Sequence, residues 1–160
     1  MVKPDLFLPD QDWMQDPDLI RLFDAIRTAG GDLRYVGGCV RDALLGRPVH
    51  DIDMATTLEP VGTQNALTSA GIKSVPTGLD FGTVTAVLPN RTVEVTSLRR
   101  DVETDGRRAV VAFADSIEED ARRRDFTMNA LYADASGAVR DPVGGLDDLR
   151  AHHVRFIDDP

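Results

Sequence analysis

The sequence predicts an α/β (α+β) fold: a small mixed sheet of about five strands with helices packed on one face. Three observations predict it. Short apolar segments of period two alternate along the chain with segments of helical period. Apolar residues make up 42% and charged residues 28% of the 160 residues, an ordinary globular balance with enough chain for one core. Turn residues punctuate the boundaries, as at Ala29-Gly30-Gly31, Gly46-Arg47-Pro48 and Pro89-Asn90-Arg91.

The elements follow in order. Residues 1–16 read as an arm packing on the domain through Leu6, Phe7, Leu8 and Trp13. Asp16-Pro17 reads as an N-cap and first helical position, and Leu19, Ile20, Leu22, Phe23 and Ile26 keep helical spacing after it. The stretch LRYVGGCVRDALLGRPVHDIDMATT (33–57) reads as a short strand, a Gly37-Gly38 pair, a short helix, a turn and a second strand carrying Asp51-Ile52-Asp53. A helix runs from Glu59-Pro60 to about Ser69, closed by Gly71, and a short strand spans 72–75. Pro76 to Gly82 reads as a turn-rich loop. Thr83–Leu88 and Thr92–Thr96 read as a hairpin, and Arg99 to Arg108 as a charged surface loop. Val110–Phe113 reads as a strand, and Ser116-x-x-Glu119 as a capping box opening a helix. Phe126, Met128 and Leu131 are expected in the core. After a turn at 135–137, a strand at Val139 stops at Pro142. Gly144-Gly145 reads as a turn into a short helix.

Chemistry concentrates in the 33–57 stretch. Side chains two apart on a strand share a face, so Asp51 and Asp53 project together, their backbones roughly 7 Å apart. Like charges so close call for a cation or a proton between them. Carboxylate oxygens suit Mg²⁺, and Mg²⁺ suits a substrate that brings phosphate oxygens. Gly37-Gly38, after a strand and before a helix, lets backbone approach a ligand, and the helix start favours phosphate. Arg41, beside Asp42, grips phosphate with its planar fork. A dinucleotide-binding oxidoreductase is disfavoured, because its spaced glycines, G-x-G-x-x-G, are missing.

The ordered pair G-G-x-x-R-D and D-x-D within residues 37–53, followed by ARRRDFTMNALYAD at 121–134, resembles the class II tRNA nucleotidyltransferase (CCA-adding enzyme) / poly(A) polymerase family, with its polymerase-β-like head domain. The resemblance runs from about residue 17 to the chain's end. It implies template-independent transfer of nucleotides from ATP or CTP to an RNA 3′-hydroxyl, with tRNA CCA addition first and poly(A) synthesis as the alternative. It implies Asp51 and Asp53 as catalytic metal ligands and Gly37, Gly38, Arg41 and Asp42 at the nucleotide. Spacing alone makes Glu94 an exposed strand glutamate; the resemblance of EVTSLRRD implies a third carboxylate on a neighbouring strand. The arginine run alone reads as a solvated face; the resemblance implies that Arg123, Arg124, Asp125 and Asn129 contact the nucleotide's sugar and phosphates. It also implies that Arg99–Arg108 is a flexible loop beside the site.

The family continues into a helical neck, body and tail, whereas this sequence ends at RFIDDP. The expectation is therefore one head domain over 1–160, competent as a nucleotide-binding module even where catalysis needs more chain. A net charge of −9 argues against a broad nucleic-acid surface, although basic clusters stand at 99–100, 107–108 and 122–124. One cysteine, Cys39, excludes an internal disulfide and fits a reducing cytoplasm, as a small buried residue rather than a nucleophile. No membrane span or signal pattern is visible, and His50, His152 and His153 lack metal-ligand spacing.

Overall fold

The structure, a computed structural model, describes residues 6–78, 81–104, 108–114 and 116–157. The first five residues of the expected arm, the Gly106 turn with Arg107, and Asp159-Pro160 lie outside the described residues. The elements are α1 (Pro17–Thr28), β1 (Leu33–Val36), α2 (Gly38–Leu44), β2 (Asp53–Thr56), α3 (Pro60–Ser69), β3 (Lys73–Gly78), β4 (Thr83–Val87) and β5 (Thr92–Ser97). After them come β6 (Arg99–Thr104), β7 (Arg108–Phe113), α4 (Ile117–Arg122), β8 (Tyr132–Ala133), β9 (Val139–Arg140) and α5 (Gly145–Arg150).

Local signals set the helices. Asp16 Oδ1 accepts the Asp18 N–H at 2.9 Å and Pro17 opens α1, whose inner face buries Leu19, Leu22, Phe23, Ala25 and Ile26. Ser116 Oγ accepts the Glu119 N–H at 3.3 Å at the start of α4. No helix among the described residues is long and apolar enough to cross a membrane.

Seven strands form one sheet in the order β3-β4-β5-β2-β1-β8-β9. β2 runs parallel to β5, and the other pairings of the sheet among the described residues are antiparallel. Seven exceeds the expected five: the strand expected at Val139 joins the sheet as β9, and β8, two residues long, is too short to carry a period. The expected loop at Pro76–Gly82 is corrected in part: β3 continues through Pro76 to Gly78, with an irregularity between Val75 and Gly78. β3 is an edge strand, where the missing N–H of proline costs no ladder bond.

The expected charged loop at Arg99–Arg108 is also corrected. β6 and β7 pair antiparallel from Arg99↔Phe113 to Thr104↔Arg108. Backbone hydrogen bonds hold such a ribbon, and the charge density of the segment hid the β-branched pair Val102↔Val110 in its register.

The main core lies under α1, α2, α3 and α5 on one face, as expected, with Tyr35, Met54, Val84, Val93 and Val95 contributed by the sheet. Trp13 and Phe23 meet Tyr35 edge-on at 4.9 and 5.2 Å, which seats the N-terminal arm. The opposite face carries a second, smaller core in which Ile117 and Ala121 of α4 cover Val36, Ala55, Leu98 and Tyr132. Leu131 is fully buried, whereas Phe126 and Met128 are only half-buried, and Phe126 leans on Phe156 with ring centres 4.9 Å apart.

The second glycine pair does more than turn. A Cβ on Gly145 would stand 2.1 Å from the Thr127 carbonyl oxygen, so only glycine lets α5 press against that backbone. Asp141 caps the helix by accepting from Gly145 N–H (2.7 Å) and Leu146 N–H (3.0 Å). Asp148 accepts from the Thr127 hydroxyl and, at 2.9 Å, from Arg155 Nε. Gly145→Ala is therefore expected to lower the unfolding free energy by about 3 kcal/mol in urea titrations. Gly62→Ala in α3, whose Cβ would meet Leu58 at an ordinary 3.7 Å, is expected to be neutral or to gain up to about 1 kcal/mol.

Candidate active site

The acids come together through strand register. Asp53 opens β2 and lies level with Glu94 of β5 in the parallel pairing. Neighbouring strands stand about 4.8 Å apart, so the two carboxylates leave one face side by side. Asp51 precedes the strand rather than lying within it, but the alternation holds. Residues 51 and 53 are exposed and 52 and 54 buried, and on β5 Glu94 is exposed between buried Val93 and Val95.

Electrostatics mark the cluster. Although Asp53 is exposed as a residue, partial desolvation against the sheet raises its carboxyl above the usual aspartate range, and the charges of Glu94 and Asp51 push the same way, while Arg124 opposes them. Among the described residues, no group of three or more His, Cys, Asp or Glu side chains forms a ready cation cage. The geometry is instead an open row of acids.

The glycine turn stands beside that row. β1 pairs with β2 up to Tyr35↔Met54, so the chain leaves β1 for Gly37 next to the start of β2. Gly37 adopts φ +76°, a conformation that strains any other residue, and α2 begins at Gly38. The Gly37 N–H is spent on the Leu131 carbonyl at 3.2 Å. Cys39 is buried with its Sγ 3.8 Å from the Asp53 carbonyl oxygen, and burial pushes its thiol up to about 11, so it packs rather than reacts.

Arg41 joins the two distant motifs. Its Nη1 donates to Asn129 Oδ1 at 2.9 Å and its Nε to Asp42 Oδ1 at 3.0 Å. Asn129 Nδ2 in turn donates to Asp125 Oδ1 at 3.3 Å, and that same oxygen accepts the Phe126 N–H at 2.7 Å. A Cβ on Gly38 would sit 3.4 Å from Arg41 Nη2, so glycine there leaves the guanidinium its place. Arg41, Asp42, Asp125 and Asn129 thus form one polar chain.

Arg123 and Arg124 form another. Both bond Asp120, a buried carboxylate: Arg123 Nε at 3.3 Å to Oδ1 and Arg124 Nη2 at 3.0 Å to Oδ2. Tyr132 donates its hydroxyl to Asp120 Oδ2 at 2.6 Å and accepts from Arg124 Nε at 3.2 Å. Asp120 and Tyr132 escaped the sequence reading. The available signal was Asp120 four residues before Arg124 on a capped helix, a spacing that brings side chains together. A cavity of about 630 Å³ between α1 and α3, lined by Arg21, Ala25, Leu58, Gly62 and Ala66, lies on the opposite face and contains none of these groups.

Residues 33–155 match the poly A polymerase head domain. The chain is 42% identical over 142 residues to the CCA-adding enzyme of Streptococcus sanguinis (strain SK36), covering 88% of this chain and 35% of that protein. It is 42% identical over 127 residues to the mitochondrial CCA tRNA nucleotidyltransferase 1 of Homo sapiens, covering 79% of this chain and 29% of that one. The structure is similar to that of the Bacillus stearothermophilus CCA-adding enzyme in complex with CTP, with a TM-score of 0.79 and 35% identity over 92% of this chain and 34% of that chain. It is also similar to a tRNA nucleotidyltransferase complexed with a primer tRNA and an incoming ATP analog, with a TM-score of 0.68 and 29% identity over 86% of this chain and 39% of that chain. The chain spans roughly a third of the length of the curated relatives it matches.

A carboxyl held above its ordinary value loses its proton less readily folded than unfolded, so stability falls as pH rises from the ordinary aspartate value through the raised one. Asp53→Asn is therefore expected to raise the melting temperature by a few degrees at about pH 7 in chelator. Calorimetry across pH should show the gain vanish below about pH 4.

Proposed function

The chain belongs to the poly A polymerase head-domain family, and from that premise we propose that it is the nucleotidyl-transferring head of a template-independent RNA polymerase. Its donor substrates are ATP and CTP, its acceptor is an RNA 3′-hydroxyl, and its favoured product is the CCA end of tRNA. The observation that carries this reading is the level pairing of Asp53 with Glu94 beside the Gly37–Arg41 turn. That pairing sets an acidic row next to a phosphate-sized group of donors. The names of the relatives favour tRNA over other RNAs.

The residues present fit magnesium. This ion keeps several waters and takes one or two carboxylates plus substrate phosphate oxygens, so an open row suits it better than a closed cage. Asp51 and Asp53 would hold it, with Glu94 adjoining. When bound, it supplies Lewis-acid polarisation of the phosphates and neutralises charge on the attacking and leaving oxygens.

The chain's own groups do the rest. Arg41, already anchored by Asp42 and Asn129, offers its remaining donors to the β- and γ-phosphates, and the Gly38 N–H adds a backbone donor. The acceptor 3′-oxygen would bond the α-phosphorus in line as the bond from that phosphorus to the bridging oxygen breaks, with pyrophosphate leaving on the β1–α2 side and the hydroxyl proton passing to solvent. Arg124 adds positive charge beside Asp53. A cytoplasmic setting goes with this reading, supported by the one buried, reduced thiol.

A second reading is a nucleotide-binding module without catalysis. The net charge of −9 favours it, since RNA would find little general attraction on this surface. One experiment tests both. Calorimetry with ATP and CTP, with and without Mg²⁺, is run beside incorporation of labelled nucleotide into a tRNA lacking its CCA end. The expected outcome is Mg²⁺-dependent binding and incorporation of both nucleotides. Asp51→Ala and Asp53→Ala are expected to abolish incorporation, and Arg41→Ala to weaken nucleotide binding about 10- to 100-fold. Binding without incorporation selects the second reading, repeated addition of A alone selects poly(A) synthesis, and absence of Mg²⁺-dependent binding overturns the proposal.

A further inference from the structure

We infer that Asp120, with Tyr132 as its partner, is a positioning residue that holds the Arg124 guanidinium in one orientation and ties it to the base of the β6–β7 hairpin. The function assigned to Arg124 rests on the nucleotidyl-transfer reading; its orientation does not.

Asp120 is 1% exposed, and its two oxygens collect five donor contacts. Oδ1 accepts the backbone N–H of Arg99, the first residue of β6, at 3.0 Å, and Arg123 Nε at 3.3 Å. Oδ2 accepts Arg124 Nε at 3.1 Å, Arg124 Nη2 at 3.0 Å and the Tyr132 hydroxyl at 2.6 Å. The Tyr132 ring adds a contact 5.6 Å from Arg124 Cζ. One edge of a planar, rigid fork is thus clamped on two sides.

Stability alone is a poor reason for this arrangement. Desolvating an ion pair consumes most of its Coulombic gain, and an apolar packing of the same volume serves a core as well or better. A fully satisfied buried network does specify one orientation, because every alternative leaves a donor or acceptor unpaired in a dry place. The two groups it aligns are the Arg124 guanidinium and the strand that starts the hairpin. Movement of the hairpin base and rotation of Arg124 therefore share one anchor.

The test is a double-mutant cycle with an independent structural readout, made on this chain. Asp120→Asn keeps the shape and removes the charge; Arg124→Met removes the group being positioned. Asp120→Asn is expected to weaken Mg²⁺-ATP binding about tenfold in the native background and less than twofold in the Arg124→Met background. A penalty of equal size in both backgrounds overturns the inference, because a general loss of packing does not depend on Arg124. The second readout is the ¹⁵Nε–H resonance of Arg124, expected to be slow-exchanging in the native chain and averaged in Asp120→Asn. Its persistence in the variant overturns the inference whether or not nucleotide binds. Should Asp120→Asn fold poorly, Tyr132→Phe, which removes one hydroxyl at constant shape, is expected to weaken the same resonance and to show the same dependence on Arg124. A native chain that binds no ATP sinks the nucleotidyl-transfer reading, and the resonance alone then decides the positioning.

Discussion

The parallel joint between β2 and β5 is the constraint from which the site follows. A parallel neighbour cannot be reached by a tight turn, and the chain spends α3, β3 and β4 on the crossover. What returns is a hairpin strand whose residue 94 is level with residue 53. Slipping that register by one residue would turn Glu94 into the core and Val93 or Val95 outward. The burial of those valines against the main core therefore holds the glutamate at the acids. Desolvation raises the Asp53 carboxyl, and the neighbouring charges of Glu94 and Asp51 push it the same way.

Around that joint the molecule uses its two faces differently. One is apolar and thick, and carries the stability: α1, α2, α3 and α5 cover it. The other is covered only in part, by α4 and a few small side chains, and the uncovered remainder bears the acids. Where α4 ends, arginines meet a buried aspartate and a tyrosine, so polar order begins where apolar packing stops. The second glycine pair belongs to this economy. By letting α5 touch the Thr127 backbone, Gly145 braces the turn that presents Asn129 to Arg41.

A chain with 27 acidic and 18 basic residues would be expected to spread its arginines over a solvated surface. Several instead hold fixed places. Arg41 and Asn129 bridge 88 positions of sequence, and Arg124 and Asp120 close a helix turn against β8. These contacts are partly buried, where water screens them less than it would at the surface. That is why a strongly acidic protein retains local positive charge beside its acids.

What the sequence determined by itself was local. The caps at Asp16 and Ser116 follow from side-chain oxygens that satisfy free N–H groups, and the exposed–buried alternation of residues 51–54 and 93–95 follows from the strand's period of two. The ordered motifs at 37–53 and 121–134 named the candidate site residues, since their types and spacing survive any arrangement of the rest. Tertiary structure alone decided what depends on partners far along the chain. It set Glu94 level with Asp53, put Asn129 on Arg41, made a strand pair of the charged 99–113 segment and buried Asp120 beneath Arg124. No periodicity encodes such contacts, because each is fixed by strand register and by which face of the sheet an element covers, and both are properties of the assembled sheet rather than of any single segment.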